Sequence, residues 1–184
     1  MIEINKKKLN YLIEDPLDDR EIRKYLPNAK ILTYDTLGKY TDIEQLLPND
    51  RDYCIILYRQ KPTFGHWVSL DKVGDNLSYF DSYGKIIDEP LNWNNYETNL
   101  SLGQSKPYLT QLLDKTDRNV FYNPFRYQSK SNDVNTCGRW CILRCLFALK
   151  GYNLNQFYNQ MKELKNFDEM NYDQLVSSII NNKF

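Results

Sequence analysis

Three of the chain's four cysteines lie in NTCGRWCILRCLFALKG, residues 135–151, each four positions from the next. Thiols so placed could bind a metal, attack a carbonyl, or pack as core. A zinc site needs four ligands, usually offered as close pairs from turns, whereas the spacing here is C-x3-C-x3-C and the chain has a single histidine. No metal and no other cofactor is expected. At i, i+4 and i+8 the cysteines drift slowly round one helical face, where a free thiol packs as a small hydrophobe. Cys141 and Cys145 therefore read as core, and so does Cys54 in the apolar run YCIILY. Cys137 differs because it stands where the polar loop SKSNDVNT meets the helix, with Asn135 or Thr136 as the N-cap. Open backbone amides and the positive end of the helix dipole favour a thiolate there. Gly138 behind it removes a side chain that could crowd an approaching group. On position alone, a structural thiol and a nucleophile stand level.

A thiolate hydrolase needs a base that later acts as an acid, and the only histidine is His66. The runs GHWVSLDKV and NLSYFDSYG, separated by Gly74-Asp75, read as a β-hairpin with a two-residue turn. That pairing sets Asp81 opposite Val68, so His66 and Asp81 become diagonal neighbours on one face of the sheet. A carboxylate so placed fixes the imidazole tautomer and supports its charged form. For the developing oxyanion, the backbone N–H of Cys137 is available, and the preceding segment offers a side-chain amide from Gln128 or Asn132.

These residues must be positioned by a fold. PLDDREIRKYL reads as a short helix with acids at its start and Pro27 at its end, followed by a strand in AKILTY and a short helix in TDIEQLLP. YCIILY reads as a central strand covered on both faces. PLNWNNYETNLSLG reads as loop, KPYLTQLLDK as a short helix, and VFYNPFRYQS as a strand interrupted by Pro124. CGRWCILRCLFALK is apolar nearly all round, as a core helix is, and Gly151 is placed to stop it. LNQFYNQMKEL and NYDQLVSSII read as amphipathic helices that cover it.

Composition narrows the function classes. Lysine plus arginine equal aspartate plus glutamate, so no global field recruits nucleic acid or an anionic membrane. MIEINKKKLNYLIED lacks a signal-peptide apolar run and nothing approaches a membrane span, which leads to the expectation of an intracellular protein with reduced thiols and no membrane partner. No repeat or linker divides the 184 residues, so one domain over 1–184 is expected.

His66-Trp67 opening a strand, Asp81 in FDSYG ending the next, a loop amide, and Cys137-Gly138 opening a buried helix resemble the adenovirus maturation protease and its relatives, including the ubiquitin-like-protein-specific proteases. GHWVSL, YFDSYG and NTCGRWCILR are most similar to the adenovirus-type proteases encoded by virophages, Maverick-type elements and some large DNA viruses. The resemblance implies an α+β, papain-like cysteine protease fold with permuted His-Asp-Cys order, its central buried helix packed on a mixed β-sheet. Carried over, Cys137 is the nucleophile, His66 the general base and acid, and Asp81 the residue that orients His66. The family's oxyanion glutamine stands nearer its cysteine than Gln128, which lies nine positions ahead of Cys137, so Asn132 stays open beside it. Trp67 is expected to shield the His–Asp bond from water.

The function so implied is a viral maturation cysteine endopeptidase, monomeric, cutting capsid or other virion precursor proteins after small residues such as glycine. It would act in the infected host cell cytoplasm or viral factory and be packaged in the virion. The family's activating peptide and DNA are possible partners, the DNA disfavoured by the neutral charge. A deconjugating protease for ubiquitin or a ubiquitin-like modifier, and a non-enzymatic binding domain on the same fold, are the alternatives.

Overall fold

The computed structural model describes residues 6–183, so the first five residues of MIEINKKKLNYLIED lie outside the described residues. Five strands form one mixed sheet in the order β1-β2-β3-β4-β5: β1 Lys30–Thr33, β2 Tyr53–Lys61, β3 Phe64–Val73, β4 Asn76–Phe80 and β5 Asn119–Tyr122. β1 runs parallel to β2 and β5 parallel to β4, while β2, β3 and β4 form an antiparallel meander. The middle strand is thus β3, which carries His66, and not the YCIILY strand β2.

β2 is covered on both faces because its residues alternate between two cores. Ile55 and Leu57 belong to a cluster built on Trp140, Ile142 and Phe157, whereas Cys54, Ile56 and Tyr58 join Leu37, Leu46 and Leu109 on the other side. The helices on the first face are α2 Asp19–Tyr25, α6 Cys137–Leu149, α7 Leu154–Asp168 and α8 Tyr172–Lys183; α3 Ile43–Leu46 and α5 Tyr108–Leu113 cover the second. This is the expected α+β arrangement, with a buried helix packed on a mixed sheet.

One expectation about elements is corrected, and two other segments gain detail. MIEINKKKLNYLIED contributes a helix, α1 Lys6–Glu14, which packs against α8. PLNWNNYETNLSLG is not loop: it holds a 3₁₀ turn at Glu89–Trp93 and α4 Tyr96–Ser101, capped by Asn95 accepting from the Thr98 amide. Asn94 and Asn95 there mark helix ends rather than coil. β5 stops at Tyr122, ahead of Pro124.

The hairpin has the expected register, with Val73 opposite Asn76 and Ser69 opposite Phe80, and Gly74 takes the left-handed conformation its turn needs, φ +58°. At the other end of β3, Gly65 lies so close to β2 that a Cβ would come 2.0 Å from the Tyr58 carbonyl oxygen. The close approach sets the backbone on which His66 stands.

α6 is buried along nearly its whole length, from Gly138 to Cys145. Two charged residues in it are resolved differently. Arg144 forms a two-pronged pair with Asp71 of β3 at 2.8 and 2.6 Å, both side chains at 0 % exposure, and donates to the Tyr152 carbonyl. Arg139 donates to the Asp15 carbonyl at 2.6 Å. The Asp71–Arg144 pair fixes the register of α6 against β3, which is also the register of Cys137 against His66. Gly151, φ +82°, ends the helix region as expected.

Candidate active site

His66 points from the first residues of β3, and Asp81 is the first residue past β4. The Nε2–H of His66 donates to Asp81 Oδ1 at 3.0 Å, with exposures of 5 % and 0 %. A carboxylate only accepts, so this contact places the hydrogen on Nε2 and leaves Nδ1 for the thiol. Asp81 Oδ1 also accepts the Tyr83 amide at 2.7 Å, and Asn123 Nδ2 donates to the Asp81 carbonyl at 2.8 Å, so the carboxylate has little freedom.

Cys137 is the first residue of α6 and hydrogen-bonds to His66. Thr136 occupies the N-cap position but does not cap with its side chain; its hydroxyl donates instead to Asp173 of α8 at 2.6 Å. The first amides of α6 stay free to act on the thiolate. Burial by itself would raise the Cys137 thiol, but hydrogen bonding and charge from His66, with the backbone amides of Trp67 and Gly138, bring it below its ordinary value. Burial likewise pulls His66 down, and the Asp81 carboxylate and Cys137 thiolate outweigh it, raising the imidazole to about 10. Each group thus favours the charged form of the other, thiolate beside imidazolium.

The other cysteines have no such partners. Burial pushes Cys54 up to about 12 and Cys141 and Cys145 well above the usual thiol value, as expected for core. All four are free thiols.

Gln128 is brought to the site, 2 % exposed, beside His66 and Cys137 in a cleft of about 380 Å³. Ser82 fixes it twice: the Ser82 carbonyl accepts the Gln128 amide at 2.9 Å, and the Ser82 hydroxyl donates to Gln128 Oε1 at 2.7 Å. Gln128 Nε2 donates to the Tyr83 hydroxyl at 3.1 Å and to the Val134 carbonyl at 3.0 Å. Asn132 sits exposed in a turn and does not line the cleft.

Two details differ from expectation. Trp67 lies on the opposite face of β3 from His66, donates to the Leu17 carbonyl at 2.9 Å, and contributes to the α6-side core. The aromatic cover over His66 comes from Tyr83, stacked at 4.9 Å, and Trp93, edge-on at 5.1 Å. Gly138 does not clear space for an approaching group: an added Cβ would press on Leu17 at 3.2 Å and Trp67 at 3.3 Å. Its smallness serves packing.

Tyr83, Trp93 and Asp173 are the site residues that sequence reasoning missed. Tyr83 was visible two positions after Asp81, and Trp93 as an isolated large ring in a polar stretch. Asp173 looks like an ordinary acid in the first turn of a helix.

A second cleft, about 400 Å³, meets the first at Phe64, Gly65, Asn135 and Cys137 and continues between Leu17, Ile31, Leu57 and Trp67. An extended chain laid along both would cross Cys137. Among the described residues, no three His, Cys, Asp or Glu side chains gather to hold a metal, and no helix is long and apolar enough to cross a membrane.

No family model matches the chain. Protein V9 of Sputnik virophage is 34 % identical over 175 residues, spanning 94 % of this chain and 98 % of that protein. The chain belongs to the family of that virophage protein. Among solved structures it is similar to the ASFV protease, at 16 % identity and a TM-score of 0.45, with 92 % of this chain covering 64 % of that one. It is also similar to the SUMO protease Ulp1, at 14 % identity and a TM-score of 0.44, with coverage of 99 % and 85 %.

Proposed function

We propose that the chain is a cysteine endopeptidase that cuts viral precursor proteins, a capsid protein foremost, during particle assembly. The observation that carries the reading is the buried contact of His66 with Asp81 at 3.0 Å beside a Cys137 that hydrogen-bonds to the same imidazole. The viral setting draws support from the virophage relative.

In this reading the Cys137 thiolate attacks the scissile carbonyl carbon, and the C=O electron pair moves to oxygen, opposite the N-terminal amides of α6. The imidazolium of His66 then gives its Nδ1 proton to the leaving amine as the C–N bond breaks. A water, losing a proton to His66, attacks the thioester; the carboxylic acid leaves and the Cys137–His66 pair is restored. Asp81 holds the ring so that Nδ1 faces the reaction throughout. Because His66 must reach the leaving amine, the residues after the cut occupy the cleft lined by His66 and Trp93, and the residues before it lie in the cleft between Leu17 and Trp67. We place glycine or another small residue before the cut, where Gly65 and Trp67 border the path. The chain is taken to act as a monomer in the infected host cell cytoplasm or viral factory and to be packaged in the virion.

The test is to incubate wild type and Cys137→Ala with the precursor proteins of the particle and, separately, with a ubiquitin-like modifier fused to a reporter. Cleavage of a capsid precursor by wild type alone is expected. Cleavage of the modifier fusion in its place would make the protein a deconjugating protease, and no cleavage of either would sink the reading.

A further inference from the structure

The oxyanion site has an arithmetic problem. An amide nitrogen has two hydrogens. Both hydrogens of Gln128 Nε2 are engaged, one by the Val134 carbonyl at 3.0 Å and one by the Tyr83 hydroxyl at 3.1 Å. The amide cannot be turned over to escape this, because its oxygen would then face the Val134 carbonyl, which only accepts. A buried side chain so fully satisfied has no donor left for a substrate.

The Tyr83 hydroxyl is in a different position. It accepts from Gln128, and among the described residues its own hydrogen has no acceptor. Its ring stacks on His66 at 4.9 Å and lines the cleft that holds Cys137 and Gln128. The backbone is fixed by the Tyr83 amide donating to Asp81 at 2.7 Å. We propose that Tyr83, not Gln128, presents the side-chain hydrogen bond to the oxyanion, and that Gln128 acts through it as a positioning residue. The proposal rests on the cysteine-protease reading and deepens it.

The chemistry is consistent. A hydroxyl that accepts from an amide N–H becomes a better donor, since each bond in a chain polarises the next. Burial first, and then the nearby Cys137 thiolate, push the Tyr83 phenol up to about 12, so it keeps its hydrogen at neutral pH. As negative charge passes from the Cys137 sulfur to the carbonyl oxygen, the hydroxyl donates a hydrogen bond to that oxygen and gives up no proton. Ser82, which donates to Gln128, and Asp81, which orients His66, are neighbours in the same turn. One short segment, Asp81-Ser82-Tyr83, would thus serve both the base and the oxyanion.

The experiment compares wild type and Tyr83→Phe, with Cys137→Ala as the blank, for kcat and KM on a cleaved precursor peptide, and wild type and Tyr83→Phe for alkylation of Cys137 by iodoacetamide, which forms no tetrahedral oxyanion. Loss of one oxyanion donor is worth about 10²–10³ in kcat. Tyr83→Phe keeps the ring, so the proposal expects kcat to fall by that order with KM and alkylation near wild type. Activity equal to or above wild type would overturn it, because removing the hydroxyl frees Gln128 Nε2 to donate directly. An equal fall in cleavage and alkylation would also overturn it, as that marks a disturbed His66–Cys137 pair. Failure of the protease reading looks different: wild type would then cut no faster than Cys137→Ala.

Discussion

The Thr136 hydroxyl donates to Asp173 at 2.6 Å, and the other oxygen of the same carboxylate accepts the Ser129 amide at 3.0 Å. One buried acid on α8 thereby ties down both ends of the loop between Gln128 and Cys137. Thr136→Val removes a donor from a carboxylate that is already 6 % exposed, which costs about 1–3 kcal/mol. The loop would loosen, so peptide cleavage is expected to drop about 10-fold while Thr136→Ser stays close to wild type. Thermal unfolding and steady-state kinetics of the two variants check this together; equal behaviour of Val and Ser would contradict it.

The His66–Asp81 contact sets the pH range. Burial alone favours neutral imidazole, and Asp81 is the larger of the influences that raise His66 to about 10. The rate should climb with pH as Cys137 deprotonates, below the ordinary thiol value, and fall as His66 loses its proton through about 10. In Asp81→Asn the raising charge is gone and burial remains, so the upper limb moves to lower pH and the maximum rate falls by about 10²-fold or more. A pH–rate profile of both proteins measures the shift. An upper limb that stays in place would remove Asp81 from the account.

The Asp71–Arg144 pair predicts an asymmetry in stability. Arg144→Leu strands a fully buried carboxylate, at a cost of about 3–5 kcal/mol, whereas exchanging both partners for apolar residues recovers most of it. Denaturant titrations of the single and double variants provide the check. A single variant as stable as wild type would mean that Asp71 is not charged in the folded protein.

Much of this could be read from the sequence because local signals agreed with the fold. The hairpin was legible since alternation and the Gly74-Asp75 turn specify one register, and that register brings Asp81 to His66. The division of the thiols was legible since Cys137 alone stands at a helix start while Cys141 and Cys145 continue into the core. What could not be read depends on contacts between distant segments. Trp93 covers His66 from a stretch whose asparagines look like coil but stand at the ends of short helices. Gln128 reaches the site because Ser82 and Tyr83 hold it, and no spacing to Cys137 reveals that. Trp67 looked like a cover for the His66–Asp81 pair, yet adjacent strand residues face opposite ways. The middle of the sheet is β3 rather than the more apolar β2, because β1 pairs with the outer edge of β2.

The central claim is that the fold makes Cys137, alone among four thiols, a thiolate held by His66. Site-resolved alkylation measures it directly: intact protein is treated with iodoacetamide at pH 6–7, digested, and each cysteine quantified by mass spectrometry in wild type and His66→Ala. The account predicts rapid modification of Cys137 only, slowed strongly in His66→Ala, with Cys54, Cys141 and Cys145 protected in both. Slow modification of Cys137 in wild type, or a rate indifferent to His66, would contradict it.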